Sequence, residues 1–150
     1  AGIAFAIVPG VTSACAASAY CGIPLTARGS ATSVQFLTAQ FADPAKQPDW
    51  SGYQYRVNGS NPTLVVYMGL NRLQQLCAGL VSVGWPDNTA IALLDQVSTA
   101  QQQQLQGTLA DIGQRLAANP LCGPTLIVIG EVLHQRMTVD LSLLQAKAIA

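Results

Sequence analysis

Short apolar runs alternate along the chain with segments whose apolar residues recur every three or four positions. Leu64–Met68, Ala90–Leu94 and Thr125–Ile129 are runs of strand length, as expected of strands buried on both faces. Ser33–Thr38 predicts a further strand, and Phe5–Val8 the end of one that runs into Pro9-Gly10. Gln101–Gln106 has β-compatible length but four consecutive glutamines. It reads as a solvent-facing edge strand rather than a polar tract, because it is short and flanked by regular elements. Leu70, Leu73, Leu76, Cys77 and Leu80 fall at helical spacing, and Gly84 stops that helix. Thr12 or Ser13 can cap an Ala-rich helix over Ala14–Tyr20, which Gly22 and Pro24 end. That helix is apolar on nearly every side, so burial is expected. Thr108 is placed to cap a third helix, with Asp111 at the capping-box position and Leu109, Ile112 and Leu116 on its apolar face. Asn119-Pro120 ends it. Residues 42–62 carry Asp43-Pro44, Gln47-Pro48-Asp49, Gly52, Asn58-Gly59 and Asn61-Pro62, which is turn chemistry, with a short helical turn near Trp50. Val139–Ala150 reads as a helical tail. The pattern adds up to an α/β domain: a mixed sheet of about five strands with flanking helices and no internal repeat.

Composition narrows the functional classes. Half of the 150 residues are hydrophobic and 9% are charged. That excludes disorder and leaves little charge for a fully solvated surface, so part of the surface is expected to be covered by a partner. Lys plus Arg equals Asp plus Glu, seven of each, so no basic stripe offers itself to nucleic acid. No apolar run is long enough to span a membrane as a helix. The start at Ala1, without Met or a basic leader, reads as a cut in a longer protein. Cys15, Cys21, Cys77 and Cys122 form no Cys-x-x-Cys pair, and His134 is the sole histidine, so no metal site is expected. The cysteines are read as reduced structural thiols of a cytoplasmic protein, with Cys15 and Cys77 on apolar helical faces. His134 is read as a surface residue.

Two segments carry candidate chemistry. Pro9-Gly10-Val11-Thr12-Ser13 is either an ordinary capped turn or a helix N-terminus whose free N–H groups receive a carboxylate or hydroxyl. Met68, at the carboxyl end of a strand and followed by Gly69, is either gap-filling core or the lip of a crevice.

Five stretches in fixed order go further: Val8-Pro9-Gly10-Val11-Thr12-Ser13-Ala14, Tyr20-Cys21-Gly22-Ile23-Pro24-Leu25-Thr26, Leu64-Val65-Val66-Tyr67-Met68-Gly69-Leu70, Gly107-Thr108-Leu109-Ala110-Asp111-Ile112 and Leu126-Ile127-Val128-Ile129-Gly130-Glu131-Val132. Together they resemble the tetrapyrrole methyltransferase family, and within it the C-terminal subdomain of the uroporphyrinogen-III C-methyltransferases. The resemblance runs from about Gly2 to Arg136. It implies a second-subdomain fold over residues 1–136, followed by a tail over 137–150. It also implies an S-adenosylmethionine cosubstrate clasped between this subdomain and a missing N-terminal one, a tetrapyrrole substrate, and a cytoplasmic homodimer. In the family the methyl passes twice to pyrrole-ring carbons, giving precorrin-2 on the route to sirohaem and cobalamin. Thr12, Ser13, Met68 and Val97 match cosubstrate-contacting positions. Arg28 is a candidate for gripping substrate carboxylates, or a surface arginine. The family's Gly-rich loop, Gly-Gly-Asp-Pro segment, acid and lysine all precede Ala1, so no catalytic residue is assigned and the piece alone is expected to be inactive.

The departures from the family share a direction. Ala27 stands for a usual histidine, Thr38-Ala39-Gln40 for Thr-Gly-His, Val97-Ser98 for Gly-Thr, and Gln102-Gln103 for Gln-Arg. Val97 brings a β-branched side chain where a glycine would allow close approach or positive φ. These changes keep open an alternative, a non-catalytic domain derived from the family that dimerises or binds a tetrapyrrole.

Overall fold

A computed structural model describes residues 2–40 and 49–142. Five strands form one mixed sheet: β1 (Val34–Thr38), β2 (Thr63–Tyr67), β3 (Ala90–Asp95), β4 (Gln103–Thr108) and β5 (Thr125–Ile129). Their order is β1-β2-β5-β3-β4. Only β1 and β2 run parallel, with Val34 beside Thr63. The last strand inserts antiparallel between β2 and β3, pairing Leu64 and Ile91 with Ile129. The helices are α1 (Ser13–Cys21), α2 (Leu73–Ser82) and α3 (Ile112–Ala118).

The continuous apolar runs follow from layering. Successive side chains on a strand point to opposite faces. Leu64, Val66, Ile91, Leu93, Ile127 and Ile129 enter one core with Leu76 and Leu80 of α2 and Ile112 of α3. Val65, Ala92, Leu94, Leu126 and Val128 enter a second core with Ala14, Ala17 and Cys21 of α1. A sheet covered on both faces needs apolar residues at every position of its central strands. The edge strand β4 has no such need, and its glutamines are exposed or half-buried.

Several expectations are corrected. Residues 5–8 form no strand. Ile3, Phe5, Ile7, Val8 and Val11 are all at least 80% exposed, in an arm that pairs with no sheet edge among the described residues. An apolar run becomes a strand only where it pairs with a sheet edge, and this one does not. Helix α1 is half-buried, with Ala14, Ala17 and Cys21 inward and Cys15 exposed. It lies on the face of the sheet rather than inside a bundle. Thr108 ends β4 instead of capping α3. Asp111 occupies the cap position, and its Oδ1 accepts from the Thr108 N–H at 2.6 Å. The box therefore closes backwards onto the strand. Trp50–Tyr53 forms the expected short turn, a 3-10 helix. Residues 42–48 of the predicted loop and 143–150 of the predicted tail helix lie outside the described residues, and Val139-Asp140 is irregular. Glu131–Gln135 adds a 3-10 turn that carries exposed His134, 3.8 Å from Glu131. Among the described residues no helix is long and apolar enough to cross a membrane.

Candidate functional site

The cleft of interest lies on the α1 face, at the carboxyl ends of β2 and β3, where crevices of α/β sheets open. It encloses about 550 Å³, in the range of small-molecule sites. Ser13, at the first turn of α1, forms one side. Tyr67 and Met68 come from the end of β2, Leu94, Gln96, Val97 and Thr99 from the end of β3 and its turn, and Pro124, Thr125 and Leu126 from the start of β5. Chain reversals at three strand ends thus bring together residues from four parts of the sequence.

Thr12 is extended (φ −63°, ψ 142°), and its Oγ1 accepts from the Ala14 N–H at 3.4 Å. The same hydroxyl is hydrogen-bonded to the Tyr67 hydroxyl. This contact ties the entrance of α1 to the end of β2 across the cleft mouth. The first-turn N–H groups of α1 and its partial positive charge stand beside Ser13. Gly69 is required by close approach: a Cβ there would meet Ile127 Cδ1 at 2.8 Å. The chain can therefore reverse tightly after Met68 and leave that side chain exposed at the rim.

Three non-glycine residues among those described have positive φ: Met68 (54°), Gln96 (48°) and Ser98 (69°). Met68 and Gln96 line the cleft, and Ser98 sits between two lining residues. Such conformations cost energy and persist where the surroundings over-determine them. The strain falls on the neighbours of Val97 and not on Val97 itself, so the positive-φ argument for a glycine does not apply at that position. Val97 differs from a glycine there in bulk alone: it is half-buried against the α1-face core and lines the cleft.

The structure therefore brings Ser13, Met68 and Val97 into one cleft, with Thr12 at its mouth. Arg28 does not line it. It is exposed, in a turn beyond the far end of α1 closed by the Ala27 N–H to the Ala31 carbonyl at 2.8 Å. Sequence reasoning missed Tyr67, Gln96 and above all Asp95. Asp95 is a fully buried carboxylate at the end of β3, bonded to Thr125 Oγ1 at 2.7 Å. One signal was available: an acid closing an otherwise unbroken apolar strand.

Over most of its length the sequence fits one family. The profile described as Tetrapyrrole (Corrin/Porphyrin) Methylases matches residues 1–113. The chain belongs to the tetrapyrrole methylases. Siroheme synthase 2 of Aeromonas hydrophila is 45% identical over 135 residues, 90% of this chain and 27% of that protein. The siroheme synthase of a Psychrobacter species is 45% identical over 139 residues, 91% of this chain and 28% of that protein. The chain thus spans little more than a quarter of the length of these relatives. Among solved structures, the uroporphyrin-III C-methyltransferase of Thermus thermophilus is 35% identical with a TM-score of 0.67, over 89% of this chain and 54% of that one. The form of that enzyme complexed with S-adenyl homocysteine gives a TM-score of 0.70 at 26% identity, over 86% of this chain and 53% of that one. In this chain the match ends inside α3, yet β5, beyond it, supplies the centre of the sheet and one wall of the cleft.

Proposed function

We propose that this methylase is the C-terminal part of an S-adenosylmethionine-dependent uroporphyrinogen-III C-methyltransferase that makes precorrin-2 for sirohaem synthesis, and that the cleft holds the cosubstrate. The observation that carries this reading is the convergence of Ser13, Met68 and Val97 on one cleft of about 550 Å³. Its donor set suits such a ligand. The Thr12 and Ser13 hydroxyls and the α1 N–H groups offer bonds to carboxylate or ribose oxygens. Leu94, Val97, Pro124 and Leu126 offer an apolar wall that excludes water. S-adenosylmethionine supplies an electrophilic methyl group on a sulfonium. The contribution of this chain is to bind and orient, which is where catalysis of an in-line transfer resides. Arg28 stays a candidate for contact with substrate carboxylates.

The remaining machinery is assigned to an N-terminal subdomain. The exposed arm of Ile3, Phe5, Ile7, Val8 and Val11 supports a covering partner of that kind, or a second copy in a cytoplasmic homodimer. Calorimetry of S-adenosylhomocysteine with the full-length gene product tests the reading. Micromolar binding together with methylation of uroporphyrinogen III is expected, and the 150-residue chain alone is expected to give no turnover. Tetrapyrrole binding without S-adenosylhomocysteine binding would favour the non-catalytic alternative, for which the bulk of Val97 in the cleft is the supporting observation.

A further inference from the structure

We propose that Asp95 and Gln96 form a positioning pair that fixes the ligand-facing wall of the cleft. The inference rests on the cosubstrate reading above and assigns a role within it to two residues that no motif marks.

Asp95 is wholly buried, and a buried carboxylate is stable only with its oxygens satisfied. Oδ1 accepts from the Gly123 N–H at 3.2 Å and from Thr125 Oγ1 at 2.7 Å. Oδ2 accepts from Gln96 Nε2 at 3.1 Å. One carboxylate therefore joins the turn after β3 to the segment entering β5. These two segments supply Gln96, Val97, Thr99, Pro124, Thr125 and Leu126, six of the ten lining residues.

Gln96 is fixed at both ends. Its N–H donates to the Pro124 carbonyl at 3.1 Å. Its own carbonyl accepts from the Thr99 N–H at 3.1 Å and from Thr99 Oγ1 at 2.8 Å. Its side chain lies across Gly123, where a Cβ would stand 2.1 Å from Gln96 Cγ. The positive φ of Gln96 is thus held by bonds to both its backbone groups and by the contacts of its side chain. Val97 and Thr99 inherit their placement from it. Asp95 acts through Gln96 and Thr125 and is a positioning residue, not a catalytic one.

Reversing the polarity of the pair tests this, with S-adenosylhomocysteine affinity and thermal midpoint measured at pH 8 on the full-length gene product. Gln96→Glu sets two carboxylates against each other and is expected to weaken binding at least about tenfold. Asp95→Asn alone lets Gln96 turn its amide over and is expected to bind within about threefold of wild type. Asp95→Asn combined with Gln96→Glu restores a donor facing an acceptor and is expected to recover binding to within about threefold as well. Gln96→Glu that lowers the midpoint but binds like wild type makes the pair a structural staple and overturns the proposal. So does a double variant as weak as Gln96→Glu alone. If Gln96→Glu does not fold, Thr125→Val, which removes one donor without adding charge, is judged by the same criterion. A wild-type protein that binds no S-adenosylhomocysteine removes the cosubstrate reading and the positioning role with it. Binding that is equal in every variant removes the positioning role alone.

Discussion

Val97 is half-buried between the α1-face core and the cleft that Ser13 and Met68 also line. With strain excluded at this position, the prediction concerns volume. Val97→Gly is expected to tighten S-adenosylhomocysteine binding by roughly 1–2 kcal/mol, about tenfold, by relieving crowding. The same change should cost about 1–2 kcal/mol of stability, from lost apolar burial and added backbone freedom. Calorimetry and thermal melts on both versions check the two halves, and equal affinities would show that the bound ligand does not meet the valine. The cysteines separate as cleanly. Cys15 and Cys122 are exposed, whereas Cys21 and Cys77 are buried. Two thiols should react with Ellman's reagent in the native protein and all four in denaturant. Burial pushes the Cys77 thiol from its ordinary 9.0 up to about 11. Below pH 9.0 both folded and unfolded chains hold that proton, and its contribution to stability is complete. As pH rises from 9.0 towards 11 the unfolded chain releases the proton first, so stability falls through that window. Cys77→Ala should flatten that part of the stability curve, measured by denaturant titration across pH. At this scale the candidate site was half legible. Thr12, Ser13, Met68 and Val97 stand out through a resemblance that runs along the chain. Asp95 and Gln96 do not, because their role comes from Gly123 and Thr125, some thirty residues away and invisible until the sheet is assembled.

The short turn Trp50–Tyr53 docks on α2 through a contact that a single methyl group would break. At Gly79 a Cβ would stand 2.1 Å from Trp50 Cε2. Alanine is the better helix former, yet Gly79→Ala should destabilise the protein by about 1–3 kcal/mol through overpacking. Tryptophan emission should shift to the red as Trp50 leaves α2. Pairing the change with Trp50→Ala should recover part of the loss, since the two effects share one contact. Elements of this kind mark the limit of local reading. The central strands were legible to within a residue, because burial on both faces imposes continuous apolar runs such as Leu64–Val66 and Leu126–Ile129. Helix α2 was legible from its 3.6-residue stripe. The arm at Ile3–Val8 was not, because a strand forms there only by pairing with a sheet edge, and the arm pairs with none among the described residues. Pairing order was not legible either: nothing local in Thr125–Ile129 says that it belongs between β2 and β3. The Thr108–Asp111 pair was read correctly as a contact but assigned to the wrong element. Strand and helix meet there, and the Thr108 N–H, more than Arg115, holds the Asp111 carboxyl below its ordinary range.

For the molecule as a whole, low charge and an apolar arm point to association. Ile3, Phe5, Ile7, Val8 and Val11 form a contiguous exposed stretch beside the cleft mouth at Thr12. The 150-residue chain is expected to self-associate at micromolar concentration, seen as a rising sedimentation coefficient. Removing residues 1–11 should shift it towards monomer, and a monomer before removal would contradict the inference. Strand order has one more consequence. Among the described residues the two halves of the sheet, β1-β2 and β3-β4, are joined by β5 alone. A ribosome making this polypeptide therefore completes both halves while the strand that unites them is still unsynthesised. Until Thr125–Ile129 emerges, Leu64 and Ile91 each present an unpaired, wholly apolar border to solvent and to each other. Productive maturation has to wait for Thr125–Ile129, and pauses in translation upstream of β5 would lengthen the interval in which aggregation or chaperone capture competes.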